Sequence, residues 1–301
     1  MSLVERPLPE PQSAEAPAQR KELPWAAIAW FSILLIIAYY PILRHLVEQW
    51  SYDPDVGHGF FVPLVFGYIV WGRREKLMAL DWKPDWWGLG LMGWGFLQAY
   101  IGMLGAEQFL QRSAFLISLV GLFLVLGGRA LLKELAFPLL LLPFMIPIPT
   151  VIYNQITFPL QLFASWVAEI LLGLINIPVL REGNVLVLAS QTLSVAEACS
   201  GIRSLLSLTF LALVYAYFFD SKVWMRWALF IAVVPIAILA NAGRVTITGI
   251  LSEHNTELAQ GVFHEMEGFV IFGIAFAMIF VLHLLINWVY KWKFAKEAPV
   301  V

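Results

Sequence analysis

A polar loop leads into an apolar run at Ser194-Val195-Ala196-Glu197-Ala198-Cys199-Ser200-Gly201-Ile202-Arg203-Ser204-Leu205-Leu206, and the apolar run continues to Phe219. The stretch contains the single cysteine of the sequence. If the apolar run is a membrane helix, Cys199 lies at its N-terminus, where unpaired N–H groups and the helix dipole favour the thiolate. A lone cysteine is often a small apolar filler, but Glu197, Ser200 and Arg203 surround this one with polar groups. The pattern indicates a prepared nucleophile.

The composition places the chain among membrane proteins. Of its 301 residues, 60% are hydrophobic and only 13% are charged, and the mean hydropathy is +0.77. Soluble domains carry about 25% charged residues. We therefore predict an all-α polytopic membrane protein with about eight transmembrane helices, an outer interfacial or re-entrant helix and a short β-hairpin. Residues 1–23 are rich in Pro, Ala and Glu and predict a disordered cytoplasmic tail, and residues 24–296 predict a single transmembrane catalytic domain.

Apolar runs of nearly the length that crosses a bilayer, about 20 residues, recur along the chain. The predicted spans are 25–43, 59–72, 87–105, 113–128, 134–150, 201–219, 227–250 and 268–290. An even number of spans puts both termini on the same side of the membrane.

The distribution of lysine and arginine sets the orientation, because cytoplasmic loops carry an excess of both. With a cytoplasmic N-terminus, the five basic residues outside the cytoplasmic segments are all arginines: Arg44, Arg112, Arg181, Arg203 and Arg244. The other fourteen are Arg6, Arg20, Lys21, Arg73, Arg74, Lys76, Lys83, Arg129, Lys133, Lys222, Arg226, Lys291, Lys293 and Lys296. This split predicts cytoplasmic N- and C-termini.

The segment between the fifth and sixth spans interrupts the regular pattern. Residues 156–177 are apolar but include Pro159, Gln161 and Glu169, and a crossing there would turn the later basic loops outward. We therefore predict an interfacial or re-entrant helix on the outer side. Two β-leaning runs follow at 185–188 and 192–195, and they predict a small outer hairpin.

Three chemically distinct groups then reach the outer surface from different helices. Cys199 begins the sixth span from outside, and His264 precedes the last span. Arg244 lies 18 residues after cytoplasmic Arg226, which is about 27 Å of helix and nearly the thickness of the hydrocarbon core. A thiol, a guanidinium and an imidazole are thus predicted at one depth.

Each of the three has a plausible chemical role. A Cys199 thiolate can attack a carbonyl to form a thioester, His264 can transfer the proton to the departing amine, and Arg244 can hold the oxyanion or orient the substrate backbone. Asn241, one turn before Arg244, is a natural hydrogen-bonding support. Two plainer interpretations stay open at this point: Arg244 snorkelling to lipid headgroups, and His264 as a solvated loop residue.

The remaining polar residues give weaker indications of a functional site. His58, in Gly57-His58-Gly59, begins the second span from outside and is a candidate for lining the same site. No metal site is predicted, since the HExxH spacing is absent around His254 and His264. Nothing in the sequence predicts a cofactor or a nucleic-acid partner.

The motifs resemble those of the exosortase/archaeosortase family of membrane transpeptidases. The resemblance rests on Glu197–Arg203, on Asn241–Val245 and on His264 followed by Gly268, with support from Arg181–Asn184 and Gly57–Phe60. It implies a Cys/Arg/His active site made of Cys199, Arg244 and His264. Arg203 matches a motif position, and its role, chemical or structural, is left open.

The resemblance also implies the substrate and the location. Such enzymes process exported, membrane-anchored proteins that end in a short motif (Pro-Glu-Pro-like in many bacterial cases), one membrane helix and a basic cluster. The implied location is the cytoplasmic (inner) membrane of a bacterium or archaeon, with the active site at the extracytoplasmic face and the bilayer and substrate as partners. Hydrolysis and transpeptidation, and the acceptor, stay open. A transporter or channel that uses the Cys/Arg/His cluster as a binding site is the alternative.

Overall fold

The computed structural model describes residues 25–53, 56–195, 201–254 and 262–295. Its helices are α1 (Trp25–Tyr52), α2 (Phe61–Gly72), α3 (Arg74–Met78), α4 (Trp87–Leu104), α5 (Gln108–Leu141), α6 (Thr150–Leu174), α7 (Gly201–Phe219), α8 (Val223–His254) and α9 (Val262–Ala295). Short 3₁₀ turns at Gly57–Phe60 and Leu142–Met145 precede α2 and follow α5, and the strands are β1 (Val179–Glu182), β2 (Val185–Leu188) and β3 (Thr192–Ser194). The predicted tail, residues 1–23, lies outside the described residues.

The predicted class of helical membrane protein is confirmed, but the count of eight spans is not. By length and composition, five stretches of the described residues can cross a membrane: Ala26–Tyr52, Gln108–Met145, Thr150–Leu174, Val223–Glu253 and Val270–Lys293. The apolar helices Gly57–Gly72 and Leu205–Phe219 are shorter, and the glycine-rich helix α4 is not among the five. The predicted single domain, 24–296, stays a prediction.

One end of the molecule gathers the basic loops, and we call it the basic end. There Arg73 Nε donates to Tyr217 Oη at 2.8 Å, Lys76 Nζ lies 2.9 Å from a Glu134 carboxylate oxygen, and Lys222 Nζ donates to Asn287 Oδ1 at 3.1 Å. These contacts join α2, α3, α5, α7 and α9. Loops that the sequence analysis assigned to one side of the membrane therefore lie together.

The other end, which we call the far end, is marked by hydrogen bonds of two ring N–H groups. Trp50 Nε1, at the end of α1, donates to the Met145 carbonyl at 2.9 Å, and His58 Nε2 lies 3.1 Å from the Phe144 carbonyl. Ser207 Oγ on α7 lies 3.1 Å from His58 Nδ1. The far end therefore contains the ends of α1 and α5 and the beginnings of α2 and α7.

Helix α5 consists of two limbs that fold back on each other. Tyr39 Oη lies 2.7 Å from Ser118 Oγ, whereas Trp50, about 16 Å further along α1, meets Met145. A straight helix would put Ser118 and Met145 about 40 Å apart, so the chain must reverse between them. It reverses at Gly128, whose φ of 66° and ψ of −162° are non-helical. The boundary between the predicted spans 113–128 and 134–150 lies at this kink.

Gly128 is required at the reversal for two reasons. Its positive φ is a backbone conformation that residues with a Cβ rarely adopt. A Cβ at this position would also collide with the Lys83 carbonyl oxygen. The glycine therefore allows the two limbs to close tightly against the loop that precedes α4.

Helices α7, α8 and α9 form a three-helix group around one apolar core. Its buried members include Leu208, Ala212, Met225, Leu229, Val233, Ala275 and Ile279. Contacts near the basic end fix the direction of each helix. Helices α7 and α9 begin at the far end, and α8 ends there.

Helix α6 is attached to the far end along its C-terminal half. It begins five residues after Met145, and a Cβ at Gly249, close to the end of α8, would touch Leu172. The C-terminal half of α6 thus packs along α8, and the length and composition of α6 would allow it to cross a membrane. The predicted interfacial or re-entrant helix stays a prediction.

The segment after α6 forms an antiparallel sheet in the order β1-β2-β3. The predicted hairpin is confirmed as β2 and β3, in which Val185 pairs with Ser194 and Val187 with Thr192. The sequence analysis missed β1, which pairs with β2 through a two-residue turn at Gly183-Asn184. Gly183 has a φ of 67°, as such tight hairpin turns require.

Candidate active site

The structure describes only part of the cysteine motif Glu197–Arg203, which we call the cysteine block. Glu197 and Cys199 lie outside the described residues. Gly201 begins α7, and the backbone of Arg203 is in its first turn, but the Arg203 side chain is outside the described part.

Arg244 and Asn241 lie on the part of α8 that is near the far end. Both are buried, with 6% and 8% of their surfaces exposed, and they lie three residues apart, which puts them on one face of the helix. A guanidinium that snorkels to lipid headgroups would stand on the protein surface. The burial of Arg244 argues against that interpretation and fits a residue with a role inside the protein.

The chain that leads to Cys199 packs beside the Arg244 turn. Val195 is completely buried and belongs to one apolar cluster with Ala242 and Val245, which flank Arg244 on α8. Cys199 follows Val195 by four residues, which span at most about 14 Å when fully extended. The described chain before the cysteine therefore ends in the apolar cluster that borders the turn of α8 carrying Arg244.

His264 belongs to the first turn of α9, and its side chain lies outside the described part. Phe272, eight residues later, packs on the core shared by α7 and α8, which puts the His264 backbone about 12 Å further toward the far end. The beginning of α7, which follows Cys199 in the chain, the end of α8 and the beginning of α9 thus lie at the same end of the three-helix group. The direct contact of the three side chains stays a prediction.

The turn Arg181-Glu182-Gly183-Asn184 is bonded to α6 by side chains from both partners. Arg181 Nε forms an ion pair with Glu169 at 2.8 Å, and Asn184 Nδ2 donates to Gln161 Oε1 at 3.0 Å. Ser165 Oγ also donates to the Gly183 carbonyl at 2.9 Å. The turn is therefore fixed to the same helix that packs beside Arg244.

His58 connects three elements of the far end. Its Nε2 lies 3.1 Å from the Phe144 carbonyl, and a carbonyl can only accept, so Nε2 carries the proton and Nδ1 accepts from Ser207 Oγ. His58 thereby satisfies a carbonyl at the end of α5 and anchors the first part of α7. We interpret it as a support for the helix that follows Cys199.

The His58 interpretation predicts a graded response to substitution. His58→Ala removes both hydrogen bonds and leaves the Phe144 carbonyl without this donor, so we expect a loss of about 1–3 kcal/mol in the free energy of unfolding. His58→Gln keeps a donor for Phe144 and should recover much of that loss. Thermal unfolding of the detergent-solubilised variants measures the difference; equal stability of the two variants would contradict this role for His58.

Sequence reasoning missed the residues that hold the sheet and α7 in place. Gln161, Ser165 and Glu169 lie on α6 at intervals of four residues, and they form a polar stripe in the apolar C-terminal half of the helix. The spacing of these polar residues indicates a hydrogen-bonded face on the helix, but it does not identify the turn Arg181-Glu182-Gly183-Asn184 as the partner. Ser207, the partner of His58, has no comparable signal, because a single serine in an apolar run is ordinary.

A second buried polar cluster lies at the basic end. Tyr215 Oη lies 2.7 Å from His283 Nδ1, and His283 Nε2 lies 3.1 Å from Asp220 Oδ2. Burial raises the pKa of Asp220, but hydrogen bonds from the Lys222 N–H and from His283 outweigh it and hold this pKa below its usual value. The cluster joins α7, α9 and the loop before α8. It is far from the predicted active site.

Within the part of the chain that the structure describes, no group of three or more His, Cys, Asp or Glu side chains could hold a metal ion.

The chain matches a known protein family. The model for transmembrane exosortase matches residues 50–281, which is well over half of the chain and includes Cys199, Arg244 and His264. Neither the curated proteins nor the solved structures gave a match. The resemblance seen in the motifs is confirmed, and the chain belongs to the transmembrane exosortase family.

Proposed function

We propose that this protein is a membrane-embedded cysteine transpeptidase or endopeptidase that cleaves the C-terminal sorting signal of exported proteins. Family membership supports a membrane transpeptidase kind of function. Our proposal goes further in naming the residues, with Cys199 as nucleophile, Arg244 as the cation and His264 as the acid–base group. It also names the substrate: a short motif of Pro-Glu-Pro type, one membrane helix and a basic cluster.

The observation that carries the proposal is the buried turn of α8 beside Val195. A charged side chain that is 6% exposed requires a purpose, because burial of a cation in an apolar protein is costly. Val195 belongs to the same apolar cluster as Ala242 and Val245 of that turn, and it precedes the single cysteine by four residues. In the proposed site, the cation and the thiol come together from two distant parts of the chain.

The reaction that these groups support is acyl transfer to sulfur. The Cys199 thiolate attacks the scissile carbonyl, and the electron pair of the C=O bond moves to oxygen to give a tetrahedral oxyanion near Arg244. The oxyanion then collapses, the C–N bond breaks, and the departing amine takes a proton from the His264 imidazolium. The resulting thioester is resolved by an acceptor amine or by water, and His264 accepts the proton of that nucleophile.

The bilayer itself would set the position of cleavage. A substrate helix of about 20 residues spans the hydrocarbon core, with its basic cluster retained at the cytoplasmic face. Its short motif then stands at the outer face, at the depth of the far end. This requires the basic end to face the cytoplasm, with both termini on that side, in the cytoplasmic membrane of a bacterium or archaeon.

The transporter alternative receives less support from the charges of the described residues. A transport pathway requires polar or ionisable groups near the middle of the membrane. The buried charged side chains are instead Arg112 and Arg244, near the far end, and Asp220 with its partner His283, near the basic end. This distribution favours chemistry at a membrane surface.

A thioester can be tested by intercepting it with a strong external nucleophile. We expect that membranes containing the protein and a reporter substrate with a Pro-Glu-Pro motif, one helix and an arginine cluster will, with added hydroxylamine, release the reporter with a C-terminal hydroxamate. Mass spectrometry of the new C-terminus provides the measurement. The matched control is the Cys199→Ala variant, which should yield none. Cleavage that yields only the free carboxylate at every hydroxylamine concentration would contradict the thioester.

A further inference from the structure

We infer that the turn Arg181-Glu182-Gly183-Asn184 is a positioning device that holds the cysteine block at the correct place beside the Arg244 turn. The inference rests on the proposed function and assigns a task to polar residues that the reaction itself does not use. Arg181 and Asn184 would act through the backbone of the sheet, without touching the substrate.

The first step is the attachment of the turn to α6. Gln161, Ser165 and Glu169 recur every fourth residue and therefore share one face of the helix. Each bonds to the turn: Gln161 to the Asn184 amide at 3.0 Å, Ser165 to the Gly183 carbonyl at 2.9 Å, and Glu169 to the Arg181 guanidinium at 2.8 Å. Three bonds along two turns of helix fix both the position and the direction of the turn.

The second step is the transmission from the turn to the cysteine block. The Asn184 carbonyl accepts a hydrogen bond from the Val195 N–H at 2.9 Å, one residue beyond the last sheet pair, Val185 with Ser194. Asn184 is thus bonded to α6 through its side chain and to Val195 through its main chain. Val195 is the last described residue before Cys199, so the turn determines where the cysteine block begins.

The third step is the common support that α6 provides. Beside its polar stripe runs an apolar stripe, Ala164, Ala168 and Leu172, which packs in the same cluster as Ala242 and Val245 around the Arg244 turn. One helix therefore holds the turn that positions Val195 and also the segment of α8 that carries Arg244. Loosening the turn would move the cysteine relative to the arginine, and displacements of about 1 Å can cost on the order of 100-fold in rate.

A matched pair of substitutions tests the inference. Arg181→Gln breaks the ion pair to Glu169, and Arg44→Gln breaks a pair to Glu48 of the same 2.8 Å length on α1, away from the sheet. We expect Arg181→Gln to lower kcat for cleavage of the reporter substrate by roughly 10- to 100-fold per folded enzyme, with KM nearly unchanged. Arg44→Gln should leave both constants close to wild type.

A charge exchange separates positioning from general destabilisation. Arg181→Glu alone places two carboxylates together and should lose activity, whereas adding Glu169→Arg restores an ion pair and should recover most of kcat. Activity that falls only in proportion to the amount of folded protein, or a double variant no better than Arg181→Glu, would overturn the inference. A failure of the proposed function is distinguishable, because the Cys199→Ala variant would then still cleave the reporter.

Discussion

Replacing Cys199 with alanine is expected to abolish cleavage of the sorting signal while the protein still accumulates in the membrane. The proposed reaction passes through a covalent bond to the Cys199 sulfur, and no other cysteine in the chain can substitute. Loss of a catalytic nucleophile costs as much as about 10⁶-fold in kcat in a well-studied protease, and we expect a loss of at least about 10³-fold here. The measurement is the ratio of cleaved to uncleaved reporter in cells that express both proteins.

A variant with a side chain of similar size at position 199 provides the control for this experiment. Cys199→Ser preserves the shape of the side chain and replaces the thiol with a hydroxyl that is far less ionised near neutral pH. The rate of cleavage by this variant should therefore also fall by at least about 10³-fold. Both variants should have membrane abundance and thermal stability close to wild type. Cleavage at an undiminished rate by either variant would refute the assignment of the nucleophile.

Removing the guanidinium of Arg244 is expected to give the second largest effect. If Arg244 holds the oxyanion, Arg244→Gln should lower kcat by about 10²–10³-fold, the range found when one oxyanion donor is removed. Arg244→Lys keeps the charge but loses the planar fork of donors, and it should retain more activity than Arg244→Gln. Steady-state cleavage of the reporter by purified enzyme gives kcat and KM for each variant.

Burial makes a control necessary, because removal of any buried arginine can destabilise the protein. Arg112 is a suitable match, since it is 5% exposed, lies near the same end, and donates to Gln108 at 2.7 Å. Arg112→Gln is expected to lower thermal stability with little change in kcat per folded enzyme. Equal losses of kcat in Arg112→Gln and Arg244→Gln would show that Arg244 serves structure alone.

Much of the fold follows from local sequence. The apolar runs predicted the helices because backbone groups in a bilayer must be bonded within their own segment, and the two β-leaning runs predicted the hairpin of β2 and β3. The sequence also indicated the reversal between the limbs of α5, since the break between the predicted spans 113–128 and 134–150 begins at Gly128. The strand β1 was missed because its short run, Val179–Glu182, includes two charged residues and adjoins Pro178.

The site could be predicted only in part. The sequence indicated the family through its motifs, and it identified three candidate site residues, Cys199, Arg244 and His264. That His58 lines the same site stays a prediction, and its hydrogen bonds to Phe144 and Ser207 were not predicted. Hydrogen bonds between residues so far apart in the chain depend on the rotation and depth of whole helices. Local sequence patterns predict neither the rotation nor the depth.

The sequence alone determined that this is a helical membrane protein of the exosortase family with its basic loops grouped, because hydropathy, charge and local motifs are properties of single residues and short segments. Tertiary structure alone decided that α6 packs beside the segment of α8 that carries Arg244, that His58 bonds to Phe144 and Ser207, and that Asn184 connects α6 to Val195. These features arise from packing and hydrogen bonding between distant segments. Such contacts form only when the helices pack against one another.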